Sequence, residues 1–177
     1  KAGAFYWCYI GHGRPDSFTS ENLWHRRYVS DVSYGYQPFT FLSTCESFGF
    51  DRLNSAIGEA MLFKTDGGAL AVVGAGRTVY KENNQILNLA FARNLFGSGD
   101  AATVGDAWRM AQAEMFATRS PELKINTLAY NLGGDPALPL RRATLNLSVA
   151  SVNGAGDGIG RLVSPALNRV TGSVTDD

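Results

Sequence analysis

The chain has 177 residues, of which 45% are hydrophobic and 18% charged, and its 16 basic side chains balance 16 acidic ones. That composition belongs to one folded domain with room for a fragment of a second, and it excludes a disordered chain. No run of either charge sign points to nucleic acid or an anionic membrane surface, and no apolar stretch approaches the roughly 20 residues of a membrane-spanning helix.

Lys1 to Ile10 lacks the basic segment, length and cleavage site of a signal peptide, and the apolar run Phe5 to Ile10 reads as a strand. It ends in Gly11-His12-Gly13. Gly11 to Ser20 reads as a loop, and Glu21 to Ser33 as a short helix or turn carrying Leu23, Trp24, Tyr28 and Val32. Pro38 opens a second apolar strand that ends at Cys45. Ser55 is expected to cap a helix with Ile57, Ala60, Met61 and Phe63 on its apolar side, stopped by Gly67-Gly68. Ala69 to Val73 is all apolar between glycines, which suits a parallel strand covered on both faces.

Asn84 to Phe96 has helical spacing and ends at Gly97, and Thr103 with Asp106 predicts a capping box before a helix carrying Val104, Ala107, Trp108, Ala111 and Met115. Leu123 to Leu132 is expected to be a last short helix, and Gly133-Gly134-Asp135-Pro136 a turn back over the surface. From Ala143 the pattern alternates, in Thr144 to Val149 and again in Arg169 to Thr175, as strands of a following β domain would. The order predicts an α/β fold with a parallel sheet and right-handed crossovers over residues 1–142, followed by the start of a β domain at 143–177. Three strands make a thin sheet, so the chain is expected to be a piece of something longer.

His12 stands between two glycines at one strand end, and Cys45 ends the next apolar run 33 residues later. Open α/β sheets build their sites at the carboxyl ends of strands, so a general base and a thiol nucleophile would meet there if the two strands were parallel neighbours. The alternative is a buried cysteine and a loop histidine that never meet. Cys8, inside an apolar run, is expected to behave as a small buried hydrophobe rather than a disulfide partner of Cys45. Glu46, Asp51 and Glu59 lack the second closely spaced Cys or His that a zinc site wants, so no metal is expected. Glu59 is read either as bonding backbone groups near the Cys45 loop or as a solvated helix residue, and His25, beside Arg26 and Arg27, as a surface residue. Val72-Val73-Gly74-Ala75-Gly76-Arg77 imitates a dinucleotide fingerprint, but the third glycine position is Val79 and no second strand ends in an acid near Asp100.

The ordered set of Gly11-His12-Gly13, the small residues before Cys45, and Leu132-Gly133-Gly134-Asp135 resembles the gingipain-type cysteine peptidases of the caspase-like fold. Within that family it is most similar to the branch that serves as signal peptidase and sortase of type IX secretion. Tyr9 to Gly13, Thr44 to Asp51, Ile57-Gly58-Glu59, Gly67 to Leu70, Arg77 to Tyr80 and Leu132 to Leu138 carry that likeness. The resemblance implies Cys45 as nucleophile, His12 as base, and the N–H groups of Gly13 and Cys45 as oxyanion donors. It implies that Glu46, Arg77 and Tyr80 flank the substrate cleft, with packing as the other reading of Arg77 and Tyr80, and that no cofactor is needed. Secreted proteins carrying a C-terminal sorting domain would be the substrates, an amine-bearing surface lipopolysaccharide the acyl acceptor, and other type IX components the partners, at the bacterial cell surface. Family members have further strands and helices before the histidine strand, with acidic residues that recognise substrate or orient the histidine, so a third catalytic residue is not assigned. The rival readings are a plain secreted gingipain-like protease, a nucleotide-binding module using the Gly74 loop, and a catalytically silent scaffold.

Overall fold

In the computed structural model, residues 4–33, 35–51, 53–97, 100–140, 145–152, 155–156 and 170–176 are described. The chain divides into two compact units, Lys1–Leu140 and Arg141–Asp177. The first unit is a four-stranded sheet in the order β1 (Tyr6–Ile10), β4 (Phe39–Ser43), β5 (Ala71–Ala75), β6 (Tyr130–Gly134). The first three strands are parallel, and β6 runs antiparallel to β5. Two short strands, β2 (Ser17–Phe18) and β3 (Trp24–His25), form a hairpin that leads into a 3-10 turn at Arg26–Val29. Helix α1 (Ile57–Leu62) lies between β4 and β5, and α2 (Lys81–Phe96), α3 (Val104–Ala117) and α4 (Pro121–Leu128) lie between β5 and β6.

Successive strand residues point to opposite faces, and this two-residue period sorts the core into two layers. Phe39 and Phe41 of β4, with Ala71, Val73 and Ala75 of β5, pack against Leu87, Phe91, Val104, Trp108 and Met115 of α2 and α3. Leu42 and Val72 point the other way, onto Ile57 and Met61 of α1, Phe18, Val29 and Phe48. The central strands are therefore apolar on both faces, as a covered parallel sheet requires.

Local signals set most helix ends. Thr103 Oγ1 accepts from Asp106 N at 3.1 Å while Asp106 Oδ2 accepts from Thr103 N at 3.1 Å, the expected reciprocal cap. Ser120 caps α4, with Pro121 at its first position. At α1 the cap residue is Ala56 rather than Ser55, and Glu59 Oε2 accepts from Ala56 N at 2.6 Å. Ser55 is turned to Arg26, which hydrogen-bonds its carbonyl.

The apolar spacing through Leu132 predicts one helix, but α4 ends at Leu128 and the chain re-enters the sheet as β6, pairing Leu132 with Val73. Gly134, at φ +113, takes a backbone conformation that favours glycine, at the end of that strand. Cys8 lies on an edge strand and the residue is exposed, not buried. α2 meets its sulfur with Asn88, whose Nδ2 donates to it at 2.8 Å, and burial around the sulfur still pushes the thiol pKa up.

In the second unit β7 (Leu145–Val152) pairs antiparallel with both β8 (Ala155–Gly156) and β9 (Val170–Asp176). The expected strand from Arg169 is described over Val170–Asp176, and residues 157–169 lie outside the described residues. Among the described residues no helix is long and apolar enough to cross a membrane.

Candidate active site

The register Ile10 with Ser43 makes β1 and β4 parallel neighbours up to their carboxyl ends, so His12 and Cys45 follow adjacent strand ends. Gly11 N continues the ladder to Ser43 O at 3.3 Å. Gly13 then packs directly on Thr44, the residue before Cys45, at a distance that leaves no space for a side chain. The loop carrying His12 is built into a hairpin. His12 O accepts from Thr19 N at 2.9 Å and from the Tyr9 hydroxyl at 2.7 Å, Arg14 N donates to Ser17 O at 2.8 Å, and the Tyr9 and Phe18 rings stack at 4.1 Å. The imidazole itself is exposed.

After Ser43 the chain turns sharply. Thr44 N donates back to Leu42 O at 2.9 Å, and Glu46 takes φ +55, a left-handed conformation uncommon for a residue with a side chain. The turn is held from two sides: Glu46 N reaches Arg77 O at 3.2 Å and Phe48 N reaches Ala75 O at 2.9 Å, while Gly58 N reaches Ser47 O at 2.8 Å. Phe48 is the buried anchor. Gly58, Gly74 and Gly133, from α1, β5 and β6, all approach its ring or Cβ so closely that an added methyl would collide with it. Gly74 and Gly76, the glycines that imitate a phosphate-binding loop, are therefore accounted for by the passage of Phe48 and its carbonyl.

Cys45 ends half-buried, with its thiol against the backbone of Val79: Sγ donates to Val79 O and accepts from Val79 N, each at 3.5 Å. Among the described residues the thiol makes no hydrogen bond to His12. The N–H groups of Gly13 and Cys45, among the described residues, donate to no acceptor. Tyr130, near Cys45, is buried and among the described residues has no partner for its hydroxyl, whose pKa is raised first by burial and then by the neighbouring Cys45 and Cys8.

Of the residues expected along a cleft, Glu46 is half-buried next to Cys45. Arg77 is exposed and gives its guanidinium to Asp51 in a two-pronged pair, at 2.7 and 3.1 Å, which ties the loop after β5 to the loop after β4. The Asp51 carboxylate strengthens the guanidinium's hold on its proton. Tyr80, next to Val79, presents an exposed ring while its N–H donates to Asn126 Oδ1 at 2.8 Å. Glu59 serves the α1 cap. His25 is half-buried, accepting from Arg27 N at 3.1 Å and facing Asp16 at 3.6 Å. Among the described residues no three His, Cys, Asp or Glu side chains are grouped as metal ligands. The roles of Val79 as partner of the thiol and of Phe48 as anchor are not visible in the sequence, because both depend on contacts between segments far apart in the chain.

The chain belongs to peptidase family C25, whose family model matches residues 1–141. Among solved structures it is similar to the Arg-specific cysteine proteinase gingipain R (RgpB), with a TM-score of 0.71 and 16% identity, covering 83% of this chain and 36% of that one. It is also similar to the complex of Porphyromonas gingivalis RgpB pro- and mature domains, at 0.72 and 15% over 83% and 37%, and to a structure described only as a protease, at 0.68 and 15% over 83% and 38%. The mixed α/β architecture with a mostly parallel sheet is the caspase-like gingipain fold, in agreement with the sequence expectation. The chain spans 36% of the length of the first of these proteins. A search among curated proteins finds none that matches.

Proposed function

We propose that this chain carries the Cys45–His12 dyad of a cysteine endopeptidase. The observation that supports it is the parallel pairing of β1 and β4, which puts the two residues on adjacent strand ends with Gly13 packed on Thr44. Cys45 attacks the scissile carbonyl as a thiolate, and His12 takes its proton. The uncommitted N–H groups of Gly13 and Cys45 receive the oxyanion of the tetrahedral intermediate. His12 then protonates the departing amine, leaving a thioester on Cys45. Glu46 and Tyr80 line the cleft beside the thioester, and Arg77 acts there through its pair with Asp51.

Residues 1–142 form the peptidase part in this reading and 143–177 the start of a β domain; the division into units after Leu140 and the family match to 141 support it. On residues such as Thr44 to Asp51 and Leu132 to Leu138 the chain resembles PorU, and the finer reading follows from that resemblance. The protein removes C-terminal sorting domains from type IX secreted proteins at the cell surface and transfers the new carboxyl end to an amine-bearing lipopolysaccharide, alongside other type IX components. A plain gingipain-like protease, which resolves the thioester with water, fits the fold equally well.

The intact protein should label at Cys45 with a peptidyl thiol probe, and it should convert a sorting-domain substrate plus a glycine-peptide amine into an amide-linked product that Cys45→Ala abolishes. Hydrolysed product alone across a wide range of amine concentrations would select the plain protease. Absence of labelling at Cys45 would remove the peptidase reading.

A further inference from the structure

We infer that Arg14 makes the groove beside the dyad a subsite for a carboxylate side chain on the leaving-group side of the scissile bond. This rests on the peptidase reading above and adds the substrate chemistry at one position. The groove, about 730 Å³, runs between the loop that carries His12 and the segment before α1, and it reaches Glu46, the residue after Cys45. Its charged lining is Arg14, Asp16, Arg26 and Glu46, with Leu53 and Ser55 on the far wall.

Three of these four charges have partners. Asp16 faces His25 Nε2 at 3.6 Å, Arg26 Nη1 donates to Ser55 O at 2.7 Å, and Glu46 is engaged as well. Arg14 is exposed, and among the described residues its guanidinium has no hydrogen-bond or ion-pair partner. Its backbone is nonetheless fixed, through the bond from Arg14 N to Ser17 O at 2.8 Å and the bridge of Gly13 to Phe18, which is buried under the Tyr9 ring. Among the described residues, the groove is thus furnished with one uncommitted cation on a rigid mount.

The sheet order decides which half of a substrate meets it. His12 lies on the β1 side of Cys45, whereas Val79 and Tyr80 lie on the β5 side. The group that protonates the departing amine must stand next to the leaving half, so that half lies on the His12 side, where the groove is. Arg14 is two residues beyond His12, a reach of roughly 7 Å along an extended chain. That is the span of the first two or three substrate residues past the cut, and a carboxylate there can accept both prongs of the guanidinium.

The test is digestion of a proteome-derived peptide library by the intact protein, with both sides of every cut read by mass spectrometry. Asp and Glu should be favoured roughly two- to fivefold at one of the first three positions after the cut, as a solvent-accessible charge pair allows. Arg14→Gln should abolish the preference, and Arg14→Glu should turn it toward Lys and Arg while preferences before the cut stay unchanged. Reversal is a gain that a misfolded variant cannot produce. Cleavage without an acidic preference, or an acidic preference that survives in Arg14→Glu, overturns this subsite and leaves the peptidase reading standing. Absence of any cleavage that depends on Cys45 overturns both.

Discussion

Gly13→Ala tests the packing that brings the two site loops together. A methyl group on Gly13 would overlap Thr44 Oγ1 and lie 3.1 Å from Cγ2 and 3.2 Å from Cβ. Thr44 is fully buried and cannot swing aside, so the His12 loop must lift. Overpacking of this kind costs about 1 to 3 kcal/mol. Thr44→Ala alone should cost little. It loses a buried methyl worth about 0.8 kcal/mol, but it also removes a buried hydroxyl with no partner, whose desolvation is unfavourable by about 1 to 3 kcal/mol. In the double variant both atoms that collide are gone and only the Cβ contact at 3.2 Å remains, so most of the Gly13→Ala loss should return. Urea unfolding of the four proteins should give a coupling of about 1 to 2 kcal/mol. The rate of Cys45 labelling by a peptidyl probe should fall at least about tenfold in Gly13→Ala, because small misplacements of catalytic groups are costly, and recover in the double variant. Additive stability changes, with labelling unrestored, would refute the idea that this contact sets the loop separation.

Other variants probe the surroundings. Burial holds the Tyr6 and Tyr130 hydroxyls above their ordinary range, so they stay protonated in the fold while the unfolded chain ionises near pH 10; stability should be full below that pH and fall above it. Tyr130→Phe removes an unpartnered buried hydroxyl, and urea midpoints between pH 8 and 11 should show a protein at least as stable with a shallower alkaline loss. Cys8, its thiol pKa raised by burial, should react slowly with iodoacetamide at pH 7 and faster at alkaline pH; rapid alkylation at neutral pH, read by peptide mapping, would contradict that burial. Asp51→Asn should change unfolding free energy by less than about 1 kcal/mol, because its pair with Arg77 is 50% and 63% exposed; a loss of several kcal/mol would show that the pair holds the two loops. Thr103→Ala should cost about 1 kcal/mol by loss of the α3 cap, checked by thermal unfolding.

The sequence by itself determined the features that local chemistry controls. The apolar runs Phe5 to Ile10, Pro38 to Cys45 and Ala69 to Val73 became the parallel strands Tyr6–Ile10, Phe39–Ser43 and Ala71–Ala75, and Thr103 and Asp106 capped α3 as their three-residue spacing requires. His12 and Cys45 stood out because each follows a strand end. What lay beyond reach was set by contacts between distant segments. Tyr130–Gly134 continues the apolar spacing of α4 and becomes a strand only because β5 offers it an unpaired edge. Cys8 looked buried because its run is apolar, yet among the described residues it is exposed on β1, a position that only the sheet order within this chain sets. Ser55, a good cap in isolation, gave way to Ala56 because its carbonyl is held by Arg26. The thiol of Cys45 meets the backbone of Val79, and Phe48 is gripped by glycines from three elements, in pairings that no local pattern encodes. Caps and periodicities are properties of a few consecutive residues, whereas the surroundings of a side chain at the end of a sheet depend on which strands become neighbours, and burial of the whole core chooses those.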